Sequence, residues 1–250
     1  MRKMFLYIAL MLLCHGVQAQ HTIFLDKGRI EFEKKQNVHA MLDEMWGDSD
    51  GQSWKELQKK EQPKFKTSYF DLYFSGNITC YKPGRQLPEN NQTRQWPADD
   101  NTVYTDLGAR RSVSQKQVFD RLFLQDDSVR NIRWKITDET RKIAGFDCRR
   151  ANAVIMDSIY VVAFYTDAIV PSGGPESFTG LPGMILGVAL PHEHVTWFAT
   201  KVLVDEVKPE SLKPPVKGKK VSTSELRENM SKALGDWGGW GKVYMKNALL

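Results

Sequence analysis

Asp157-Ser158-Ile159-Tyr160-Val161-Val162-Ala163-Phe164-Tyr165-Thr166 is the stretch on which the fold class turns. Ile159, Val161, Ala163 and Tyr165 alternate with Tyr160, Val162 and Phe164, so an extended chain here is apolar on both faces. The pattern predicts a central strand covered from both sides. Working outward, Ile132, Trp134 and Ile136 alternate with Arg133, Lys135 and Thr137, which predicts a half-buried strand. Phe70, Leu72 and Phe74 alternate with Tyr69, Asp71 and Tyr73, and Ile30 and Phe32 with Glu31 and Glu33, in the same way. Residues 196–204 carry Trp197, Phe198, Val202, Leu203 and Val204, and residues 118–124 add another strand candidate. Short strands recurring at this spacing predict a mainly β protein built on a curved antiparallel sheet.

Two segments break the rhythm. Residues 39–62 have helical composition, interrupted by Gly47-Asp48-Ser49-Asp50-Gly51, and read as two short helices or a loop and a helix. Near the C-terminus, Ser222 followed by Glu225 forms a capping box, and Leu226, Met230, Ala233 and Leu234 mark one apolar side before Gly235. A Pro/Lys-rich linker, residues 209–221, joins this helix to the last strand. Residues 90–100 read as a polar loop.

The chain has 250 residues and a formal charge of +5. Arg2 and Lys3, an apolar run from Met4 to Leu13 and small residues around Val17-Gln18-Ala19 have the anatomy of a signal peptide, residues 1–19, with the mature chain starting at Gln20. The apolar run is too short for a membrane span. Cys14 follows Leu13 where a lipidated cysteine follows a small residue, so it is not read as a lipid anchor. Loss of Arg2 and Lys3 lowers the formal charge to +3. That near balance, with no basic cluster interleaved with aromatics, argues against nucleic acid as a partner. Lys213, Lys217, Lys219 and Lys220 read as a solvated linker. The mature length suits one β-rich domain, residues 20–208, with residues 209–250 packing on it.

Cys80 and Cys148 are the cysteines left after export, and an oxidising compartment leaves two readings: a bridge, or buried free thiols. No calcium, phosphate-loop, dinucleotide or nucleophile-elbow motif survives inspection; Asp48-Ser49-Asp50-Gly51 would put Trp46 and Leu57 where an EF-hand needs carboxylates. Asn77-Ile78-Thr79 and Asn91-Gln92-Thr93 match the short glycosylation pattern. His192 and His194, two apart, would share a face on a strand and a metal with it, but a third ligand is missing nearby and a hairpin tip is the simpler reading. His21 is assigned no role. No metal or cofactor is expected. Asp138, Glu139, Asp167, Glu176 and Asp205 are the acid or base candidates. Glu176 leads them because it lies in the Gly/Pro-rich loop of residues 171–183, which opens at Pro171; the plainer reading is a surface carboxylate in a long turn.

That loop runs Gly173-Gly174-Pro175-Glu176-Ser177-Phe178 and ends in Gly180-Leu181-Pro182-Gly183-Met184-Ile185-Leu186. Pro at the second and Gly at the third position predict a type II turn across Leu181-Pro182-Gly183-Met184. Together with Trp134-Lys135-Ile136-Thr137-Asp138-Glu139-Thr140, Ile143-Ala144-Gly145-Phe146-Asp147-Cys148 and Phe164-Tyr165-Thr166-Asp167, these residues resemble the GLPGLI family of secreted Bacteroidetes proteins, with Met184 where leucine is usual. The resemblance makes Gly174, Pro175, Phe178, Gly180, Leu181, Pro182 and Gly183 a structural motif and implies no catalytic residue. By analogy it implies an open half-barrel, lipoprotein-carrier-like, with one or two short helices nearby. The expectation for function is a periplasmic, noncatalytic binding or accessory protein of the cell envelope holding a hydrophobic ligand or an envelope protein, since Phe, Tyr and Trp number 12, 8 and 7. The alternative is a metal-binding or hydrolytic enzyme centred on the 171–183 loop or on His192 and His194.

Overall fold

The alternation at Ile30 and Phe32 becomes β1 (Lys27–Asn37), whose even-numbered residues from Gly28 to Gln36 are buried. A computed structural model describes residues 24–47, 51–88, 96–204 and 206–250. The leader with Cys14, His21, Asp48-Ser49-Asp50, Asn91-Gln92-Thr93 and Asp205 lie outside the described residues. Along the chain follow α1 (Val38–Trp46), α2 (Gln52–Glu61), β2 (Phe65–Ser75), β3 (Ile78–Pro83), β4 (Thr102–Asp106), β5 (Arg111–Val118) and β6 (Arg121–Ser128). The second half holds β7 (Lys135–Ile143), β8 (Phe146–Ile155), β9 (Ile159–Thr166), β10 (Met184–Leu190), β11 (Val195–Leu203), β12 (Lys219–Val221), α3 (Thr223–Leu234) and α4 (Gly238–Leu249).

These strands form one open sheet in the order β12-β6-β5-β4-β3-β2-β1-β11-β10-β9-β8-β7. The protein is therefore mostly β, as the alternations predict. Every pairing is antiparallel except the parallel pair of β12 and β6. Two runs of sequential neighbours, β1 to β6 and β7 to β11, are welded by β1 against β11. Irregular register at Glu31/Phe32, Ile185/Gly187 and Ile136/Thr140 bends individual strands. Residues of β5 and β6, near one edge, line the same groove as the β8–β9 turn near the other, so the sheet curls back on itself without closing.

One core gathers Ile30, Phe32, Phe70, Leu72 and Phe74 with β8 to β11 and Phe178; β9 is buried almost throughout. The second packs α1, α3 and α4 over Trp96, Val118 and Phe123. Asn37 caps α1 by accepting a hydrogen bond from Ala40 N, and Val38, Met41, Leu42 and Met45 turn inward. The capping box of Ser222 and Glu225 starts α3, and Leu226, Met230 and Leu234 are its buried stripe. Phe32, Phe70, Phe74, Tyr81, Phe178 and Trp197 are fully buried, so much of the aromatic content fills the interior.

Several expectations are corrected. Residues 118–124 are not one continuous strand: Val118 ends β5 and residues 121–124 begin β6, while Phe119 and Asp120 form the two-residue turn of the β5–β6 hairpin, with Phe119 at φ +54° and no glycine to betray it. The strand expected around Ile132 begins only at Lys135, and Ile136 is largely exposed on an edge strand. A further helix, α4, starts with Gly238-Gly239, where glycines argue against helix; tertiary packing against α1 and α3 overrides that propensity. The linker contains β12. Cys80 in β3 and Cys148 in β8 are free and buried, separated in the sheet by β2, β1, β11, β10 and β9, so of the two readings the thiols stand. Among the described residues no helix is long and apolar enough to cross a membrane.

Candidate functional site

The corner after β9 sets the geometry of the site. Gly183 N–H donates to Leu181 O at 2.7 Å, a three-residue turn about Pro182, while Met184 N–H bonds Ile169 O at 3.0 Å instead of closing the predicted type II turn. Gly183 sits at φ +132°, and a Cβ there would lie 2.1 Å from Thr166 O, so only glycine lets the loop cross the end of β9. At Gly174 a Cβ would meet Phe178 O at 2.7 Å. Ile185 N–H to Gly173 O (2.8 Å) and Gly180 N–H to Ser172 O (3.2 Å) pin the loop, and Phe178 packs on Trp197. Pro175 and Leu181 are buried, Gly180 and Pro182 exposed. This scaffold holds Glu176 at φ +51° and 2% exposure, so it is not the surface carboxylate of the plainer reading.

Glu176 belongs to a sealed cluster of charges. Its Oε2 accepts from Asn101 Nδ2 at 2.9 Å. Beside it, Lys34 Nζ donates to Asp99 Oδ1 (2.9 Å) and Asp99 O (3.1 Å), and Lys66 Nζ to Asp99 Oδ2 (2.6 Å). Lys34 also lies 5.7 Å from the Phe70 ring centre and 5.6 Å from that of Trp197, a cation flanked by two π faces. Burial acts to raise the Asp99 carboxyl, but Lys34 and Lys66 outweigh it and hold it below its usual value. Burial acts to lower the Lys34 ammonium, but Asp99 and Glu176 keep it above. Glu176 has no such close counter-charge, and burial pushes it up. Lys116 is pushed down to about 8 by burial; its Nζ donates to Ala248 O at 3.1 Å. The cavity bounded by Gln36, Asp99, Asn101, Glu176, Trp197 and Asn247 measures about 10 Å³, room for about one water.

A second feature is open. A groove of about 970 Å³ runs between β5–β6, the 129–133 segment, the β8–β9 turn, α3 and the end of α4. Ser112, Ser114 and Lys116 of β5 and Gln125 and Asp127 of β6 share one side of their strands and line it. Arg110, Arg130, Arg133 and Arg227 line it too, and none pairs with an Asp or Glu side chain among the described residues. Arg130 Nη2 donates to the Leu249 carbonyl and to a terminal oxygen of Leu250, the last residue, while its Nη1 is buried without a partner. Burial, then the charge of Arg227, lowers the Arg130 guanidinium.

The remaining candidates disperse. His192 is exposed on the β10–β11 tip, His194 adopts a left-handed conformation there, and Glu193 between them is buried against Lys246 at 2.9 Å. Asp138 and Asp167 are exposed, and Glu139 pairs with Arg150. Lys213, Lys217, Lys219 and Lys220 are exposed. Lys34, Lys66, Asp99, Asn101 and Lys116 were not anticipated. A signal for two of them existed: Lys34 extends the buried alternation of Ile30 and Phe32, and Lys66 precedes Phe70 by four residues on the same face of β2.

Residues 153–187, from the end of β8 through the corner, match a family model described as "Protein of unknown function (Porph_ging)". No curated protein matches the chain. Two solved structures of PNGF-II, in space groups P21 and C2, are similar with TM-scores of 0.51 and 0.50. Both are 13% identical over 78% of this chain, which spans about a third of their length (32% and 31%). At that identity the likeness is one of fold.

Proposed function

We propose that this is an exported, periplasmic, noncatalytic binding or accessory protein of the cell envelope, of the GLPGLI type. The family-model match over the 153–187 stretch, which contains the Gly180-Leu181-Pro182-Gly183 corner, supports the kinship. One observation carries the binding reading. The groups with the chemistry for catalysis, Glu176, Asp99 and Lys34, surround space for about one water, whereas in the large groove the carboxylate in contact with a hydroxyl, Asp127, is held by Thr223 N and Oγ1 at the start of α3 and the other lining groups are mainly cations and hydroxyls. The buried aromatics and the polar groove floor favour an envelope partner over a purely hydrophobic ligand.

Native mass spectrometry of protein isolated from the periplasm tests this. The expected result is a chain starting at Gln20 that retains a bound molecule, lost on Arg133→Ala with Arg227→Ala but kept in Glu176→Gln. Chemical conversion of that molecule over time, abolished by Glu176→Gln in a folded variant, would establish the enzyme reading instead.

A further inference from the structure

The sheet face that lines the groove is anomalous. Over most of β1 and β2 the inward positions are Ile30, Phe32, Phe70, Leu72 and Phe74, giving way to Lys34, Gln36 and Lys66 only at the sealed cluster, whereas the same face of β5 and β6 packs Val118 and Phe123 at one end and presents Ser112, Ser114, Lys116, Gln125 and Asp127 to the open groove. Polar residues on the inner side of a curled sheet are unfavourable against a packed layer and favourable against water or a polar ligand. Charge is equally one-sided. Four guanidiniums and the Lys116 ammonium face two side-chain carboxylates and the terminal residue Leu250, and Asp127 is already committed to the start of α3, accepting from Thr223 N (3.0 Å) and Thr223 Oγ1 (2.6 Å). Elsewhere in the protein arginines take carboxylate partners: Arg111 with Asp126, Arg85 with Glu31 and Arg150 with Glu139. Arg130 is partly withdrawn from water beside Arg227, with Nη2 held by oxygens of Leu249 and Leu250 and Nη1 unpartnered, and an anion entering the groove would offset the like-charge repulsion and desolvation that this arrangement carries. A concave site of one sign with low-dielectric walls concentrates such an anion.

We infer that this groove binds an oxyanionic ligand, through phosphate or carboxylate groups engaged by Arg110, Arg130, Arg133 and Arg227. The inference rests on the binding reading above and names the chemistry of its ligand. Planar guanidiniums match both oxyanions bidentately, and the groove has room for a molecule carrying several such groups. Ser112 and Ser114 add neutral hydroxyl donors on its floor.

Isothermal titration of the mature protein with inorganic pyrophosphate and with citrate, at two salt concentrations, tests it. The expected result is saturable binding of at least one anion that weakens with salt, falls at least tenfold in Arg133→Ala with Arg227→Ala, and is unchanged in Arg149→Ala, an exposed arginine of β8 outside the groove. Thermal midpoints check that each variant is folded. Absence of binding to both anions, or an equal loss in Arg149→Ala, overturns the inference; a bound molecule retained by native protein under those results would leave the binding reading standing. Cosedimentation with phosphatidylglycerol vesicles distinguishes the source. Groove-dependent sedimentation displaced by pyrophosphate assigns the oxyanion to a lipid headgroup, and titration binding without sedimentation assigns it to a soluble ligand; either supports the groove chemistry.

Discussion

Lys34 and Lys66 share the Asp99 carboxylate beside a space of about 10 Å³, whereas Arg110, Arg130, Arg133 and Arg227 surround about 970 Å³ with no Asp or Glu partner among the described residues. Both groups stand on the inner side of the same sheet. In the first, ionic groups are enclosed with their counter-charge, and their work is to join β1, β2 and the Asp99 segment. In the second, no Asp or Glu side chain pairs with the guanidiniums and water has access. Charge that is paired and sealed specifies structure; charge that is unpaired and accessible is available to a ligand.

The largest effect is expected at Asp99. Asp99→Ala strands two buried ammoniums and lowers stability by about 3–5 kcal/mol in urea unfolding, whereas replacing the triad with Lys34→Met, Lys66→Met and Asp99→Leu recovers most of that loss. A cost below about 1 kcal/mol for the single change would mean the cluster is not enclosed.

Lys116 touches both regions and should show it through pH. Its folded-state value of about 8 lies below its ordinary 10.5, so between these limits the unfolded chain binds more protons and wild-type stability rises with pH. Relative to Lys116→Met, wild type gains up to about 3 kcal/mol across that window. Unfolding series kept below pH 10.5 avoid the opposite loss from Lys34, whose raised value contributes stability only until it is passed. A pH-independent difference would place the ammonium in water.

Glu176→Gln should act more mildly, with the opposite slope. The folded carboxyl is raised above 4.5, so wild type loses stability as pH rises from 4.5 through the folded value, and the variant does not. Its amide oxygen can still accept from Asn101, and the variant gains stability relative to wild type between acid and neutral pH in urea unfolding. The smallest change is expected in the groove: Arg133→Ala and Arg227→Ala each alter stability by less than about 0.5 kcal/mol in thermal or urea unfolding. A larger loss would show that these cations support the fold.

Much of the sheet was legible because period-two burial is a local property. Ile30 with Phe32, Phe70 with Leu72 and Phe74, and the doubly apolar β9 all follow it. The β5–β6 turn escaped notice because Phe119-Asp120 lacks turn residues, and α4 because its first turn is glycine-rich. At the site, Glu176 was singled out for its loop but its burial was not foreseen. Asp99 read as part of a polar loop, since nothing local distinguishes a solvated aspartate from one facing two lysines 65 and 33 residues earlier in the chain.

By itself the sequence determined the β character, the strand faces and the α3 cap, because each depends on neighbours within a few residues. Tertiary structure alone decided that β1 joins the two runs of strands, that Cys80 and Cys148 stay apart, and that Lys34, Lys66 and Asp99 are sealed while the groove arginines are not. Those outcomes depend on which distant segments meet and how much water is left between them, and electrostatic energy is governed by that separation and exposure, not by order along the chain.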